Sequence, residues 1–196
     1  AEAYDVKVGI EIHNPDYPKS PLMTRFMEAI DKSNSKYLGF VPDFGCFANK
    51  PNKMLWDNAL KAGGSEKVLE LIRDMKYEEV PQKEAQAKAI EAGAQRPELE
   101  FLRDSYGFLQ FRKDVTFALD GLKEIIPLCF HMHGKYHYVY EDLEEAAIPY
   151  KDILEVVKNS DYKGYIVSEY EEYNSGHSML MLERHLNMMK KYLRNK

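Results

Sequence analysis

The stretch Val6-Lys7-Val8-Gly9-Ile10-Glu11-Ile12-His13 is short, β-branched and apolar until its C-terminal end. It reads as a buried strand over 6–13, with alternate residues on opposite faces. Val6, Val8, Ile10 and Ile12 form an apolar face suited to covering helices, and Gly9, Glu11 and His13 form the other. Three similar runs follow: 37–41, closed by the turn Pro42-Asp43-Phe44-Gly45; then 125–133; then 164–169. Acids and histidines gather at their ends: Glu11 and His13, then Asp43, then His131 and His133, then Glu169. Helical patterns lie between them. One covers 21–30, with Leu22, Phe26 and Ile30 on one face, and another opens at Ile148-Pro149 with proline in the first turn. The last carries Met179, Leu182, Leu186, Met189 and Leu193. Strands alternating with helices imply parallel βαβ units and an α/β fold.

One interval breaks the alternation. Residues 48–123 are far more chain than a crossover needs. They hold Trp56, a Gly63-Gly64 break before a helix capped by Ser65, a polar helix over 82–91 and an aromatic-rich helix over 101–122. This is expected to be a helical insertion on the outside of the domain; its functional alternatives are a lid or a subunit contact. The polar segment is a solvated face, and Trp56, Tyr106, Phe108 and Phe111 are expected in the core. His137, His177 and His185 fall outside the strand register and are expected on the surface or on helices. Tyr136, Tyr138 and Tyr140 alternate and could wall a site.

With 196 residues, 44% hydrophobic and 30% charged, the chain has the composition of a soluble globular domain. Its net charge of −5, spread along the chain, lacks the clustered basic footprint of a nucleic-acid protein. No apolar run approaches a membrane span. Two cysteines, Cys46 and Cys129, each inside an apolar run, fit a reducing, cytoplasmic setting. Ala1-Glu2-Ala3-Tyr4 offers neither an initiator Met nor a signal-peptide pattern, so the N-terminus is expected to be cut.

Charges buried without partners cost several kcal/mol. Acids and histidines converging at the carboxyl ends of parallel strands are where a β/α barrel builds its active site. Taken singly, Glu11 or Glu169 is an ordinary salt-bridged strand end; it is the repetition that points to a site. Three carboxylates with one or two imidazoles make an oxygen/nitrogen ligand set for one divalent ion, Mn²⁺ first, with Mg²⁺, Co²⁺ or Zn²⁺ as alternatives. The ligands would be Glu11, Asp43, His133 and Glu169. His131 shares the face of His133 and packs beside it or reaches the substrate, and Glu171 lies further out with the parity of Glu169.

The set Gly9-Ile10-Glu11, Pro42-Asp43-Phe44-Gly45, His131-Met132-His133-Gly134-Lys135 and Gly164-Tyr165-Ile166-Val167-Ser168-Glu169 resembles the sugar phosphate isomerase/epimerase family, the xylose-isomerase-like TIM barrels. There a Glu, Asp, His, Glu quartet at the ends of strands four, five, six and eight binds one divalent metal, and the order matches Glu11, Asp43, His133 and Glu169. The resemblance implies a (β/α)8 barrel of which this chain is the C-terminal half, about four parallel strands with the 48–123 insertion inside a 1–196 domain. A whole barrel takes roughly 250 residues, so another chain or segment is expected to complete it.

The resemblance also implies a sugar or glycoside substrate and proton abstraction next to a carbonyl through a metal-stabilised enediolate. Glu11 and Glu169 would be the acid–base pair of an isomerase or epimerase, and His131, Lys135 and Cys46 would face the sugar. Two departures, Asp43-Phe44-Gly45-Cys46 for Asp-x-Gly-His and His133-Gly134-Lys135-Tyr136 for His-x-Lys-Asp, move the sequence toward the larger subunits of C-glycoside deglycosidases. Those are lyases that eliminate an aglycone from an oxidised (3-keto) sugar, and the resemblance makes His13 the base. A phosphodiesterase resembling endonuclease IV would need more histidines than the six here and a basic surface. A non-catalytic metal-binding subunit is the other alternative.

Overall fold

The computed structural model describes residues 1–172 and 176–194, so 173–175 and the last two residues of the expected 1–196 domain lie outside the description. The order is β1 (Val8–Ile12), α1 (Pro21–Ser33), β2 (Leu38–Pro42), α2 (Lys53–Lys61), α3 (Glu66–Tyr77), α4 (Gln82–Glu91), α5 (Arg96–Tyr106), α6 (Thr116–Ile125), β3 (Met132–Tyr136), α7 (Tyr150–Lys158), β4 (Ile166–Tyr170) and α8 (Ser178–Leu193). β1 pairs parallel with β2, Glu11 opposite Val41, and β3 pairs parallel with β4, Lys135 opposite Glu169. The two pairs meet at a seam. There the contacts are isolated parallel bridges, Phe40 to Cys129 and Asp43 to His133, and the Phe130 N–H donates to the Phe40 carbonyl at 3.0 Å. The fold is α/β with parallel strands.

One core fills the space between strands and helices. Ile12, Phe40, Phe44, Phe47 and Met132 meet Leu122 of α6, Ile153 and Leu154 of α7 and Met188 of α8. Local chemistry starts the helices where they start: Ser20 Oγ caps α1 by accepting the Met23 N–H at 3.4 Å, and Asn52 Oδ1 caps α2 by accepting that of Leu55 at 3.0 Å. A second core is separate. Leu69, Ile72, Ala85, Ala89, Phe101 and Leu102 close α2–α5 on themselves.

Several boundaries differ from expectation. The third strand is Met132–Tyr136, not 125–133: Ile125 ends α6, and Ile126–Leu128 is a 3₁₀ turn with Pro127 inside it. Proline has no N–H for a strand ladder, whereas the polar run His133-Gly134-Lys135 makes one. The expected helix over 101–122 is two helices, α5 and α6, with Gly107 capping the first. α6 packs Ala118, Leu122 and Ile125 into the main core, so the self-contained helical unit is narrower than 48–123. The covered face of α1 is Met23, Met27 and Ile30; Leu22 and Phe26 face outward. Along β1 only Ile12 is sealed, while Val6 and Val8 are 54% and 48% exposed. They are not covered by helices as expected.

Candidate active site

The site is built at the carboxyl ends of the strands. Glu11 is the fourth residue of β1 and His13 follows that strand directly. Asp43 follows β2, where its N–H donates to the Ile12 carbonyl at 3.0 Å and its Oδ1 accepts the Gly45 N–H at 2.6 Å. The backbone at Gly45 passes close to both groups: a Cβ there would lie 3.0 Å from Asp43 Oδ1 and 3.1 Å from Lys135 Cδ and would press on that pair. On β3 and its exit, His131, His133, Lys135 and His137 share one parity, as Glu169 and Glu171 do on β4 and beyond.

These side chains converge. His133 Nδ1 lies 2.8 Å from Glu11 Oε1 and 3.3 Å from Glu169 Oε2. Glu169 Oε2 is buried and accepts no hydrogen bond. One ligand atom each from Glu11, Asp43, His133 and Glu169 falls within 4.8 Å of all the others. An ion with donors at roughly 2.0–2.6 Å spaces its ligands up to about 5 Å apart, so the four fit one cation. His131 Nε2 is 3.3 Å from His133 Nε2, on the far side of that ring from Glu11.

Lys135 is the second centre. It is 3% exposed, and its Nζ sits 2.7 Å from Asp43 Oδ2, 3.2 Å from Glu171 Oε2 and 3.7 Å from Glu169 Oε1. Burial pulls the ammonium pKa down, but Asp43, then Glu171 and Glu169, outweigh it and leave it raised. Burial raises the Glu169 carboxyl, with Asp43 and Glu171 adding to the rise against Lys135 and His133. His13 Nδ1 lies 2.9 Å from the Asn14 carbonyl, which can only accept, so Nδ1 carries the proton. Nε2 is then a lone pair, held 2.9 Å from Lys135 Nζ and 3.8 Å from Asp43 Oδ2. An unprotonated imidazole nitrogen beside the carboxylate cluster is a base in position.

The chain resembles the alpha subunits of C-glycoside deglycosidases. It is 27% identical over 182 residues to one from Microbacterium trichothecenolyticum, a match covering 87% of this chain and 49% of that protein. It is 28% identical over 181 residues to one from Arthrobacter globiformis, covering 87% and 49%. It is 26% identical over 180 residues to the 3'-dehydrocarminate deglycosidase alpha subunit of Microbacterium sp, covering 87% and 51%. The chain thus spans about half the length of the curated relatives it matches. No protein-family profile matches it. Among the described residues no helix is long and apolar enough to cross a membrane.

Three expectations change. Cys46, expected to face the sugar, is 1% exposed within the main core between Phe44 and Phe47, and burial pushes its thiol well above the usual range. It has no face toward a substrate. His137, expected at the surface, is buried, with Nδ1 4.0 Å from Glu172 Oε1. The signal for it was present, since it continues the parity of His133 and Lys135. Phe108, expected in the core, is 72% exposed because it lies on the loop after α5 and not on a helix. Its ring stands edge-on to His13, with centroids 6.2 Å apart. Asn14 Nδ2 donates to the carbonyls of Gly45 and Gln110 and so ties this loop to the exit of β1. Between the loop and His13, Lys135 and Glu171 remains a cleft of about 10 Å³, room for about one water.

Proposed function

We propose that this chain carries the catalytic centre of a metal-dependent lyase of the C-glycoside deglycosidase kind, which eliminates an aglycone from an oxidised (3-keto) sugar. The observation that carries it is the placement of His13, with its proton on Nδ1 and its Nε2 lone pair at the carboxylate cluster. The names of the relatives support the same reaction class.

Glu11, Asp43, His133 and Glu169 would hold one divalent ion, Mn²⁺ first and Mg²⁺, Co²⁺ or Zn²⁺ as alternatives. The buried Glu169 oxygen that accepts no hydrogen bond fits a cation there. When bound, such an ion polarises the keto group and stabilises negative charge on its oxygen. His13 Nε2 takes the proton from the carbon beside the keto group, and the electron pair moves toward the carbonyl oxygen. As the pair returns, the bond to the aglycone breaks, a carbon–carbon double bond forms in the sugar, and the departing carbon takes up the proton that His13 Nε2 removed, which restores the neutral imidazole. Lys135, anchored by Asp43, holds Nε2 in place in the free site, gives up that hydrogen bond when Nε2 takes the substrate proton, and adds positive charge beside the developing oxyanion. His131 reaches the substrate from beside His133.

A second reading is an isomerase or epimerase in which Glu11 and Glu169 exchange the proton on opposite faces of the sugar carbon. The raised Glu169 carboxyl favours it, since acid–base exchange is most efficient with a pKa moved toward the working pH. In either case the four parallel strands would be the C-terminal half of a (β/α)8 barrel. Exposed Val8 and Val167 lie where neighbouring strands would pair, and the alpha-subunit names of the relatives support another chain as partner. The two free thiols suit the cytoplasm.

The test is aglycone release from a 3-keto C-glycoside, with Mn²⁺ binding measured by calorimetry on the same protein. His13→Ala should slow release by about 10²–10⁴-fold and leave Mn²⁺ binding unchanged. Unchanged release removes His13 from the step and returns the reaction to the Glu11–Glu169 pair. Mn²⁺ binding without turnover of any keto-sugar leaves a non-catalytic metal-binding subunit. A protein that binds no divalent ion overturns both enzyme readings.

A further inference from the structure

Two neighbouring cations have no acid to answer them. Lys53, Arg73, Lys88, Arg96 and Arg103 each hold a carboxylate at 2.6–2.8 Å. Lys76 of α3 and Arg112 of the loop after α5 are half-buried, and neither forms an ion pair among the described residues. Lys76 Nζ meets only neutral groups, Gln110 Oε1 at 3.3 Å and the face of Tyr106 at 4.7 Å. The Arg112 guanidinium lies over Tyr17 at 4.5 Å, and its Nη2 donates to the Pro15 carbonyl at 2.9 Å. Its Nη1 is buried and has no hydrogen-bond partner. Burial, then the charge of Arg112, pulls the Lys76 pKa down to about 8, and burial lowers that of Arg112. Glu79 works against the fall for both and pairs with neither. A buried charge without a partner is costly, and here two stand together.

Both side chains line a cavity of about 600 Å³, within the roughly 300–1,000 Å³ of small-molecule sites. Val80, Tyr106 and Phe117 give it apolar walls, and Lys113 adds a third cation. Of its two carboxylates, Glu79 stands exposed and Asp114 is engaged, with Oδ1 accepting from the Thr116 N–H at 2.8 Å and from its hydroxyl at 2.7 Å. The cavity shares no lining residue with the cleft at His13. It borders the support of that cleft: Arg112 holds Pro15, and the Gln110 carbonyl accepts from Asn14 Nδ2 at 3.2 Å. Two adjacent cations call for two negative charges. A carboxylate brings one, whereas a phosphate group carries about −1.5 to −2 at pH 7. Its oxygens also suit both the fork of a guanidinium and the point charge of an ammonium.

We propose that the cavity containing Lys76 and Arg112 binds a small phosphate monoester, with the phosphate taken by the ammonium and the guanidinium and the organic part against Val80 and Phe117. The site stands apart from the Glu11–Asp43–His133–Glu169 cluster and does not depend on the lyase reading.

The probe is n-butyl phosphate, with butyrate and inorganic phosphate as its counterparts, titrated into the full 196-residue chain by calorimetry and NMR. EDTA is present throughout, so that no phosphate binds through a metal ion. Butyl phosphate should saturate, with its largest amide shifts at Lys76, Tyr106 and Arg112. Butyrate should bind about tenfold more weakly, a gap that narrows with added salt. Inorganic phosphate, lacking the apolar part, should bind about three- to tenfold more weakly. Lys76→Met and Arg112→Gln should each weaken butyl phosphate about tenfold. Arg112 also supports Pro15, so Lys76→Met is the deciding variant: it removes a cation without a partner and should fold at least as stably as the parent. Butyl phosphate should raise the thermal midpoint of the parent and leave that of Lys76→Met unmoved. Binding that does not saturate, butyrate as tight as butyl phosphate, or Lys76→Met as tight as the parent overturns the proposal. Inorganic phosphate as tight as butyl phosphate overturns the monoester.

Discussion

Lys135 is almost wholly buried, and Asp43, 2.7 Å away, is completely so. Each charge would be costly alone, and the pair makes both tolerable. Lys135→Met therefore leaves a carboxylate uncompensated, with an expected loss of about 3–5 kcal/mol in urea unfolding; the double variant Lys135→Met/Asp43→Asn should recover most of it. The folded pKa of Lys135 lies above its ordinary 10.5. Its stabilisation is complete below pH 10.5 and is lost as pH rises through the folded value, an alkaline loss that Lys135→Met should lack. His185 behaves oppositely. It is fully buried, stacked on Tyr136 at 4.0 Å, and burial lowers its pKa to about 4. Tyr150 O–H donates to the Lys135 carbonyl, so His185 Nε2–H must donate to Tyr150, and His185 Nδ1 accepts from Ser168 Oγ. This one-way chain needs a neutral ring. His185 supports the fold fully above pH 6.5, and the support is lost as pH falls from there through about 4, a loss of about 3 kcal/mol at full extent. Urea midpoints at pH 7 and pH 4.5 should diverge in the parent and converge in His185→Gln.

At the scale of elements, the helical unit α2–α5 keeps its own core. Phe101→Ala should cost about 3–5 kcal/mol, and hydrogen exchange should quicken across α2–α5 while the strand amides stay protected. Three of these helices were visible, from the break and cap at Gly63-Gly64-Ser65, from polar composition over 82–91 and from the aromatics after 101, but the break between α5 and α6 was not, because aromatics continue through it. Phe108 inside that break has the same hydrophobicity as Phe111, yet one is exposed and the other is sealed, and only the path of the backbone separates them. β3 was misplaced for a related reason. Hydrophobicity marks what is buried, and Ile125, Ile126 and Leu128 are a helix end and a turn, while the strand itself is half polar because it faces the site. Parity survived that error: His131, His133 and Lys135 share a face wherever the strand starts. The convergence of Glu11, Asp43, His133 and Glu169 was therefore legible from alternation and order, and the depth of Lys135 and the burial of Cys46 were not, since both depend on what other elements bring over them.

Across the whole molecule, the outer strands β1 and β4 show side chains that are elsewhere buried, Val8 and Val167 at 48% and 49% exposure. Open strand edges of this kind recruit other strands. The variant Val8→Lys/Val167→Lys should sediment at a lower apparent mass than the parent at equal concentration. The seam between the strand pairs carries a different implication. Glu11, His13 and Asp43 stand on one side of it and His133, Lys135 and Glu169 on the other. Anything gripping both sides acts as a clasp, adding its own binding free energy to the work of parting the pairs. Opening and occupancy are then reciprocal, and the Phe130 amide, bonded across the gap to Phe40, is the reporter. Its exchange should slow by about 100-fold with Mn²⁺ at 100 times its Kd. The Val8 amide, bonded to Tyr37 within the first pair, should keep its rate.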